Sequence, residues 1–179
     1  MQTERLILRP LAPGDAPEIQ RLAGDREVAA TTRDIPHPYE DGVAEAWICA
    51  CQEQIAAGKL VNFAITLRSD GSFVGVISLH RDADANAAEL SYWVGKPFWN
   101  QGYATEAVKA VLRHGLADLG LDRVFAAHFA RNPASGRVMQ KAGMLHEGFL
   151  KAHTEKWGKF EDLELYGVTG EQVPDGEAG

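Results

Sequence analysis

The sequence lacks the cysteine content that is typical of disulfide-bonded proteins and the clustered ligands that are typical of metal sites. It contains 2 cysteines among 179 residues, Cys49 and Cys51, which lie two positions apart on a predicted helix. Residues at that spacing point to different sides of a helix, so we expect reduced thiols rather than a mutual disulfide. The 6 histidines are scattered without the spacing of metal ligands, and we therefore predict no metal site.

Basic charge and long apolar runs are also scarce. Lys and Arg number 18 against 25 Asp and Glu, and the formal net charge of −7 argues against binding of nucleic acid over a broad surface. The acidic surplus fits a cationic, amine-bearing acceptor, and it fits a need for solubility equally well. No apolar run is long enough to span a membrane, and residues 1–5 lack the apolar core of a signal peptide. We therefore expect a cytoplasmic protein with no membrane partner.

Length and composition are those of one globular domain. A chain of 179 residues with 45% hydrophobic and 24% charged residues can bury a sizeable core. We assign residues 1–169 to this domain and residues 170–179, which contain Pro174 and three acidic residues, to a flexible tail. The chain has no nucleophile elbow, Walker loop or dinucleotide-binding fingerprint.

Periodicity and turn residues predict strands and helices in a mixed order. Strands are predicted at Leu6–Leu8, Leu60–Leu67, Phe73–His80, Ala88–Val94, Arg123–Ala130, Leu145–Ala152 and Phe160–Val168. Helices are predicted from Pro13 to Gly24, at Ala44–Ala57, at Gly102–Leu119 and from Asn132 to Gly143, with a helical turn and a loop over Asp25–Asp41.

This order predicts an α/β fold of the α+β kind, in which helices flank a mixed and mostly antiparallel central sheet. The three strands in the middle form an antiparallel meander. The strand Arg123–Ala130 is apolar enough for burial on both faces, which favours a parallel neighbour, the strand before Trp99. Parallel strands that separate at one end leave a cleft, and we expect a ligand there.

The stretch Trp99–Ala107 is where that ligand is expected. A strand runs into a small-residue turn and then directly into a helix, which leaves backbone N–H groups free beside the helix dipole. Such donors suit the phosphates of a nucleotide-like cofactor, and Gly102 and Ala104 keep the turn thin enough for close approach. An ordinary strand–turn–helix corner has the same pattern, so this stretch alone leaves both interpretations open.

Four groups of residues taken together carry a resemblance to a known family. They are Thr3–Pro10, Ala88–Val94 followed by Trp99–Ala107, Asn132–Ser135 with Lys141–Met144 and Glu147-Gly148, and the later residues Gly158, Asp162 and Tyr166. In these groups the chain resembles the GNAT superfamily of N-acetyltransferases, and within it the ribosomal-protein-alanine N-acetyltransferase-like branch. The resemblance runs from Thr3 to Val168. One departure is Trp99, which stands where the wider superfamily has Gln or Arg, but the backbone donors do not depend on that side chain.

The resemblance implies acetyl-CoA as co-substrate, held in the splayed cleft of a GNAT-type sheet. It implies pyrophosphate contacts at Gln101, Gly102, Tyr103, Ala104 and Thr105, and 3′-phosphate contacts at Arg137 and Lys141. It implies pantetheine contacts through the backbone of Tyr92, Trp93 and Val94 and at Asn132, and a cofactor contact at Ser135. Asn132 is also expected to cap the following helix, and the two basic residues could simply be solvated.

Acetyl transfer to an amine needs a proton acceptor, and two carboxylates resemble candidates. Glu89 lies on the strand that leads to the phosphate turn, where the family often has its basic glutamate, and a solvated surface charge is the alternative. Glu155 is the second candidate, although Thr154 could occupy the matching position and His153 precedes it. Ser135 resembles the residue proposed to protonate the departing thiolate, and it could also support the start of its helix.

These features predict an N-acetyltransferase that transfers an acetyl group from acetyl-CoA directly to a primary amine. The acceptor is left open between a protein N-terminus and small molecules such as an amino acid, a polyamine or an amino-sugar antibiotic. We expect the Asp25–Tyr39 loop, the early helices and the hairpin around Trp157 to contact it. The alternatives are a non-catalytic acyl-CoA-binding or regulatory module of the same fold, and phosphate binding by an unrelated α/β protein. The oligomeric state is also open, with a homodimer as one option.

Overall fold

The computed structural model describes residues 1–82 and 84–170. Seven strands form one sheet in the order β1-β2-β3-β4-β5-β7-β6. They are β1 (Leu6–Pro10), β2 (Leu60–Leu67), β3 (Phe73–Asp82), β4 (Ala87–Val94), β5 (Arg123–Phe129), β6 (Leu145–Lys156) and β7 (Lys159–Thr169). The α-helices are α1 (Ala16–Ala23), α2 (Arg26–Thr31), α3 (Val43–Ala56), α4 (Tyr103–Arg113) and α5 (Pro133–Lys141). The predicted fold class is confirmed, whereas the predicted tail, apart from Gly170, lies outside the described residues.

The sheet separates two hydrophobic layers. Because neighbouring residues of a strand face opposite sides, Ile77 of β3 packs with α4 and α5, whereas Val76 packs beneath α1 and α3. Both side chains are at most 2% exposed. Burial of one such side chain contributes roughly 1.5–3 kcal/mol, so this alternation fixes which helices cover which face.

The strands β4 and β5 are the parallel pair, and they remain paired over three positions only. Ala87, Ala88 and Glu89 pair with Arg123, Val124 and Phe125, after which the two strands separate. On its other edge β4 pairs with β3 along its whole length, from Ala87 to Val94. The edge of β4 that faces β5 is therefore open beyond Glu89, which is the predicted cleft.

Three local predictions need correction. The helix predicted over 102–119 changes at His114 into a π turn that runs to Asp118, with the Leu119 N–H bonded to the His114 carbonyl at 3.0 Å. A π turn is hydrogen-bonded one residue further along than an α turn, and a stretch of five residues is too short for the apolar pattern to distinguish the two. The strand β5 is not buried on both faces, since buried and half-buried residues alternate along it.

The third correction concerns the hairpin β6–β7, which is longer than predicted. The strand β6 continues past Ala152, whose φ of 46° and the neighbouring register shift interrupt the alternation of side chains. The hairpin closes on Trp157 and Gly158, both with positive φ, as a tight two-residue turn requires.

Candidate functional site

A cleft of about 360 Å³ lies between the open half of β4, the loop before α4 and the start of α5. It is lined by nearly all the residues predicted to bind a cofactor, namely Tyr92, Trp93, Val94, Gly102, Tyr103, Ala104, Thr105, Asn132, Ser135, Arg137 and Lys141. The tertiary structure thus brings three separate segments of the sequence to one place.

The N-terminus of α4 opens on this cleft with free donors. The first intrahelical bond runs from the Glu106 N–H to the Gly102 carbonyl at 3.0 Å, so the N–H groups of residues 103–105 have no partner within the helix. Gly102 has a φ of 82°, and a Cβ there would lie 3.2 Å from Nη2 of Arg5. A glycine is therefore favoured by conformation and by space, and the turn can approach an anion closely.

Gln101 is the one predicted cofactor residue that does not line the cleft. Its side-chain Nε2 donates to the Pro97 carbonyl at 2.9 Å, and its own carbonyl accepts a bond from Nη1 of Arg5 at 2.8 Å. Trp99, the departure from the superfamily pattern, donates from its indole nitrogen to the Val94 carbonyl at 2.7 Å. Both side chains therefore hold the shape of the loop.

Tyr92 and Ser135 join β4 to α5 across the cleft. The two hydroxyl oxygens are 2.8 Å apart, and the Tyr92 hydroxyl also lies 3.1 Å from the Ser135 carbonyl, to which it can donate. Burial raises the pKa of Tyr92 to about 12, although the hydrogen bond with Ser135 lowers it. The phenol is therefore protonated at neutral pH. Sequence analysis assigned only the backbone of Tyr92 to the site and did not identify this hydroxyl pair.

Asn132 occupies the N-cap position of α5, as predicted, but its side chain makes no capping hydrogen bond. The Ser135 N–H bonds instead to the backbone carbonyl of Asn132 at 3.1 Å. Asn132 itself is one of the residues that line the cleft.

A second cavity of about 490 Å³ adjoins the cleft. Tyr92, Trp93 and Ser135 line both, so the hydroxyl pair stands where the two spaces meet. Glu89 lines the second cavity with its side chain 30% exposed, and Nη2 of Arg33 lies 3.4 Å from its Oε1. A carboxylate and a hydroxyl pair therefore face one space that is large enough for a small molecule.

Glu155 lies elsewhere. It is an exposed residue near the tip of the β6–β7 hairpin, and neither it nor Thr154 nor His153 lines either cavity. The next residue, Lys156, is buried, and its Nζ donates to the carbonyls of Ile35 at 2.7 Å and Arg33 at 3.2 Å. Burial lowers the pKa of Lys156. Sequence analysis missed this contact, which no local pattern encodes.

The predicted acceptor-side segments surround the second cavity only in part. Ile35 and Tyr39 of the Asp25–Asp41 loop line it, whereas His37 and Trp157 do not. Helices α1 and α3 also contribute lining residues, among them Ile19 and Trp47, while their contact with an acceptor stays a prediction.

His128 of β5 is a buried residue that sequence analysis did not single out for the site. Its Nδ1 lies 2.8 Å from the Phe129 carbonyl, which places the proton on Nδ1, and its ring stacks on Tyr166 at a centroid distance of 5.6 Å. Its Nε2 is buried and has no hydrogen-bond partner among the described residues. A Cβ on Gly136 would lie 2.6 Å from this nitrogen, so the imidazole sets how closely α5 can pack.

Among residues 1–82 and 84–170, no group of three or more His, Cys, Asp or Glu side chains could hold a metal ion. No helix within these described residues is both long enough and apolar enough to cross a membrane.

The fold and the cleft are those of an acetyl-CoA-dependent acetyltransferase, and the comparisons agree. A family model described as an acetyltransferase (GNAT) domain matches residues 5–145, so the chain belongs to the GNAT acetyltransferase family. The resemblance seen in the sequence is confirmed.

Three relatives illustrate the match. The uncharacterized N-acetyltransferase YoaA of Bacillus subtilis (strain 168) is 28% identical over 170 residues, which cover 94% of this chain and 95% of that protein. The [Ribosomal protein uS5]-alanine N-acetyltransferase of Escherichia coli (strain K12) is 23% identical over 175 residues, 94% of this chain and 90% of that protein. The structure of Mycobacterium smegmatis RimJ in complex with CoA-disulfide has a TM-score of 0.84 at 25% identity, covering 94% of this chain and 84% of that one.

Proposed function

We propose that this acetyltransferase transfers the acetyl group directly to a primary amine, without a covalent acyl-enzyme. The observation that carries the proposal is the junction of the two cavities. The cleft beside α4 holds the donor, the second cavity holds the amine, and the hydroxyl pair of Tyr92 and Ser135 lies between them. A thioester and an amine at such a junction meet without a protein nucleophile.

The residues of the cleft fit acetyl-CoA. The free N–H groups at residues 103–105 suit its pyrophosphate, the open edge of β4 at residues 92–94 suits the amide groups of its pantetheine arm, and Arg137 and Lys141 supply positive charge for its 3′-phosphate. When bound, acetyl-CoA supplies an activated acetyl group whose C–S bond breaks as the new N–C bond forms.

Glu89 is the group proposed to remove the proton from the amine. A primary amine is mostly ammonium at neutral pH and must lose a proton before it can attack. Glu89 faces the second cavity with a part-exposed carboxylate, so the proton can pass on to solvent directly or through water.

Ser135 is the group proposed to protonate the thiolate that leaves. Its Oγ–H can give its proton to sulfur while the Tyr92 hydroxyl, 2.8 Å away, donates to Oγ in turn. The proton lost by the nitrogen when the new amide forms returns through water to this pair. Over the whole reaction of the neutral amine with acetyl-CoA, one N–H and one C–S bond break, and one N–C and one S–H bond form.

The proposal is tested by mixing the protein with acetyl-CoA and a panel of amines while the released thiol is titrated. We expect Glu89→Gln to lower kcat/KM for the amine by about 10²-fold, the usual size of a lost general base. Glu155→Gln is the matched control, since that residue is exposed and lies outside both cavities. Loss of activity with Glu155→Gln alone would instead assign the base to the hairpin.

Binding of CoA without turnover of any amine would favour the alternative, a non-catalytic acyl-CoA-binding module. A protein N-terminus and a small-molecule amine are both acceptors that the proposed transfer can use. A cytoplasmic location is a further proposal, supported by the reduced thiols expected for Cys49 and Cys51 and by the absence of a long apolar run in the sequence. The net charge of −7 fits a cationic acceptor of either kind, peptide or small molecule.

A further inference from the structure

We propose that the amine acceptor is a small monoamine with an apolar, aromatic or branched body. This inference rests on the proposed function, because it assigns a substrate class to the second cavity of the same site. A long polyamine and a peptide N-terminus are the two classes that it disfavours.

The first argument is the wall of the cavity. Ile35, Tyr39, Trp47 and Trp93 are only half-buried, and each packs against the hydrophobic cluster beneath α1 and α3 while also lining the cavity. Part of the surface that these side chains still expose therefore faces the cavity. The cavity volume of about 490 Å³ is in the range of small-molecule sites. An apolar ligand body that covers these side chains would remove their surface from water.

The second argument is the charge of the lining. Among the described residues that line the cavity, those with a full charge at neutral pH are Arg33, Asp34 and Glu89. The guanidinium of Arg33 lies 3.4 Å from a carboxylate oxygen of each of the other two. Lys156, whose Nζ donates to the carbonyls of Arg33 and Ile35, adds a positive charge that acts on Asp34. The charges around the cavity are therefore close to balanced, and the several ammonium groups of a polyamine would lack carboxylates to pair with.

The third argument concerns the backbone and hydroxyl groups that a peptide would need. The carbonyls of Arg33 and Ile35 already accept bonds from Lys156. The hydroxyls of Thr31 and Thr32 donate to carbonyls of α2 at 2.8 Å and 3.1 Å. A peptide N–H would have to share a carbonyl that Lys156 already uses, and a peptide carbonyl would find both hydroxyl protons in use, so these groups are poorly suited to a peptide backbone.

The experiment compares kcat/KM for three acceptor classes with acetyl-CoA as donor. The probes are 2-phenylethylamine and 3-methylbutylamine, spermidine, and short peptides with an N-terminal alanine or serine. We expect the two monoamines to exceed spermidine and the peptides by about tenfold or more. Higher kcat/KM for spermidine or for a peptide would overturn the inference while leaving the proposed N-acetyl transfer intact.

Two variants test the arguments separately. Trp47→Ala should raise KM for 2-phenylethylamine by about tenfold and leave KM for acetyl-CoA unchanged, because Trp47 lines the second cavity and not the cleft. Ile55→Ala, on the exposed side of the same helix, is the matched control. Arg33→Gln removes the positive charge that faces Glu89, so it should raise the ratio of kcat/KM for a diamine over that for a monoamine. An unchanged ratio would overturn the charge argument.

Isothermal titration of the protein with CoA and each amine separates this inference from the proposed function. Binding of the monoamines with no turnover of any amine would reject the proposed transfer and retain the ligand class. Binding of spermidine or peptides in preference to the monoamines would reject the ligand class, whether or not turnover is seen.

Discussion

The Nε of Arg5 lies 2.7 Å from Oε2 of Glu106, and this contact ties the segment before β1 to the first turn of α4. Glu106 also accepts bonds from the Thr3 hydroxyl at 2.6 Å and from the Arg5 N–H at 2.8 Å. Burial favours a higher pKa for Glu106, but these hydrogen bonds outweigh it and hold the pKa below its usual value. The same guanidinium bonds to the Gln101 carbonyl, so Arg5 contacts both the turn before α4 and the helix itself.

From this contact we expect Arg5→Ala to raise KM for acetyl-CoA by about tenfold with little change in kcat. The loop before α4 would lose the contacts of Arg5 with Gln101 and Glu106 that fix its shape. One hydrogen bond to a charged group contributes about 1.5–3 kcal/mol to stability. Steady-state kinetics with acetyl-CoA as the varied substrate measure this. Arg21→Ala, which removes a surface ion pair with Glu18 on α1, is the control. Equal effects of the two substitutions would contradict a positioning role for Arg5.

The Ser135 hydroxyl is expected to act in the chemical step. Ser135→Ala should lower kcat by about 10²-fold while KM for acetyl-CoA changes by less than about threefold, since the hydroxyl is needed when the C–S bond breaks. Ser69→Ala, in the exposed turn between β2 and β3, is the control. A larger change in KM than in kcat would make Ser135 a binding residue instead.

The raised pKa of Tyr92 predicts a loss of stability in alkali. Between pH 10, the ordinary phenol value, and about pH 12, the unfolded chain has released a proton that the folded chain keeps. The folded state binds more protons in this window, so the free energy of unfolding falls as pH rises. In the Tyr92→Phe variant, the free energy of unfolding should therefore fall by roughly 2–3 kcal/mol less over this pH window than it does in the wild type. Urea unfolding just below pH 10 and near pH 12 measures the difference, and parallel curves would contradict the assignment.

The close approach of Gly136 to His128 predicts a specific steric cost. Gly136→Ala places a Cβ 2.6 Å from Nε2 of His128, so α5 must shift together with Ser135. We expect a loss of about 1–3 kcal/mol in the free energy of unfolding, with a lower kcat. Gly14→Ala, where a Cβ meets nothing within 4 Å, is the control.

The same substitution in a His128→Ala background isolates the contact. If the imidazole is the obstacle, Gly136→Ala costs less in that background, and the coupling is read from a double-mutant cycle of unfolding free energies. Equal costs in both backgrounds would show that another group opposes the added methyl.

The sequence by itself determined the order of the elements and the place of the cofactor cleft. Apolar runs and apolar alternation, bounded by turn residues, located all seven strands, and small residues before α4 marked the turn that opens on the cleft. Both signals come from neighbours in the chain. The parallel pairing of β4 with β5 also followed, since the helix between them leaves few other connections.

Only the tertiary structure decided which side chains face the two cavities. Sequence reasoning placed Glu89 first and Glu155 second as candidate bases from the resemblance alone. The fold turns Glu89 to the second cavity and leaves Glu155 exposed near a hairpin tip. The contacts of Arg5 with Glu106 and of Lys156 with Ile35 join residues 101 and 121 positions apart. No local spacing records such contacts, because they form only when the packed layers bring distant segments together.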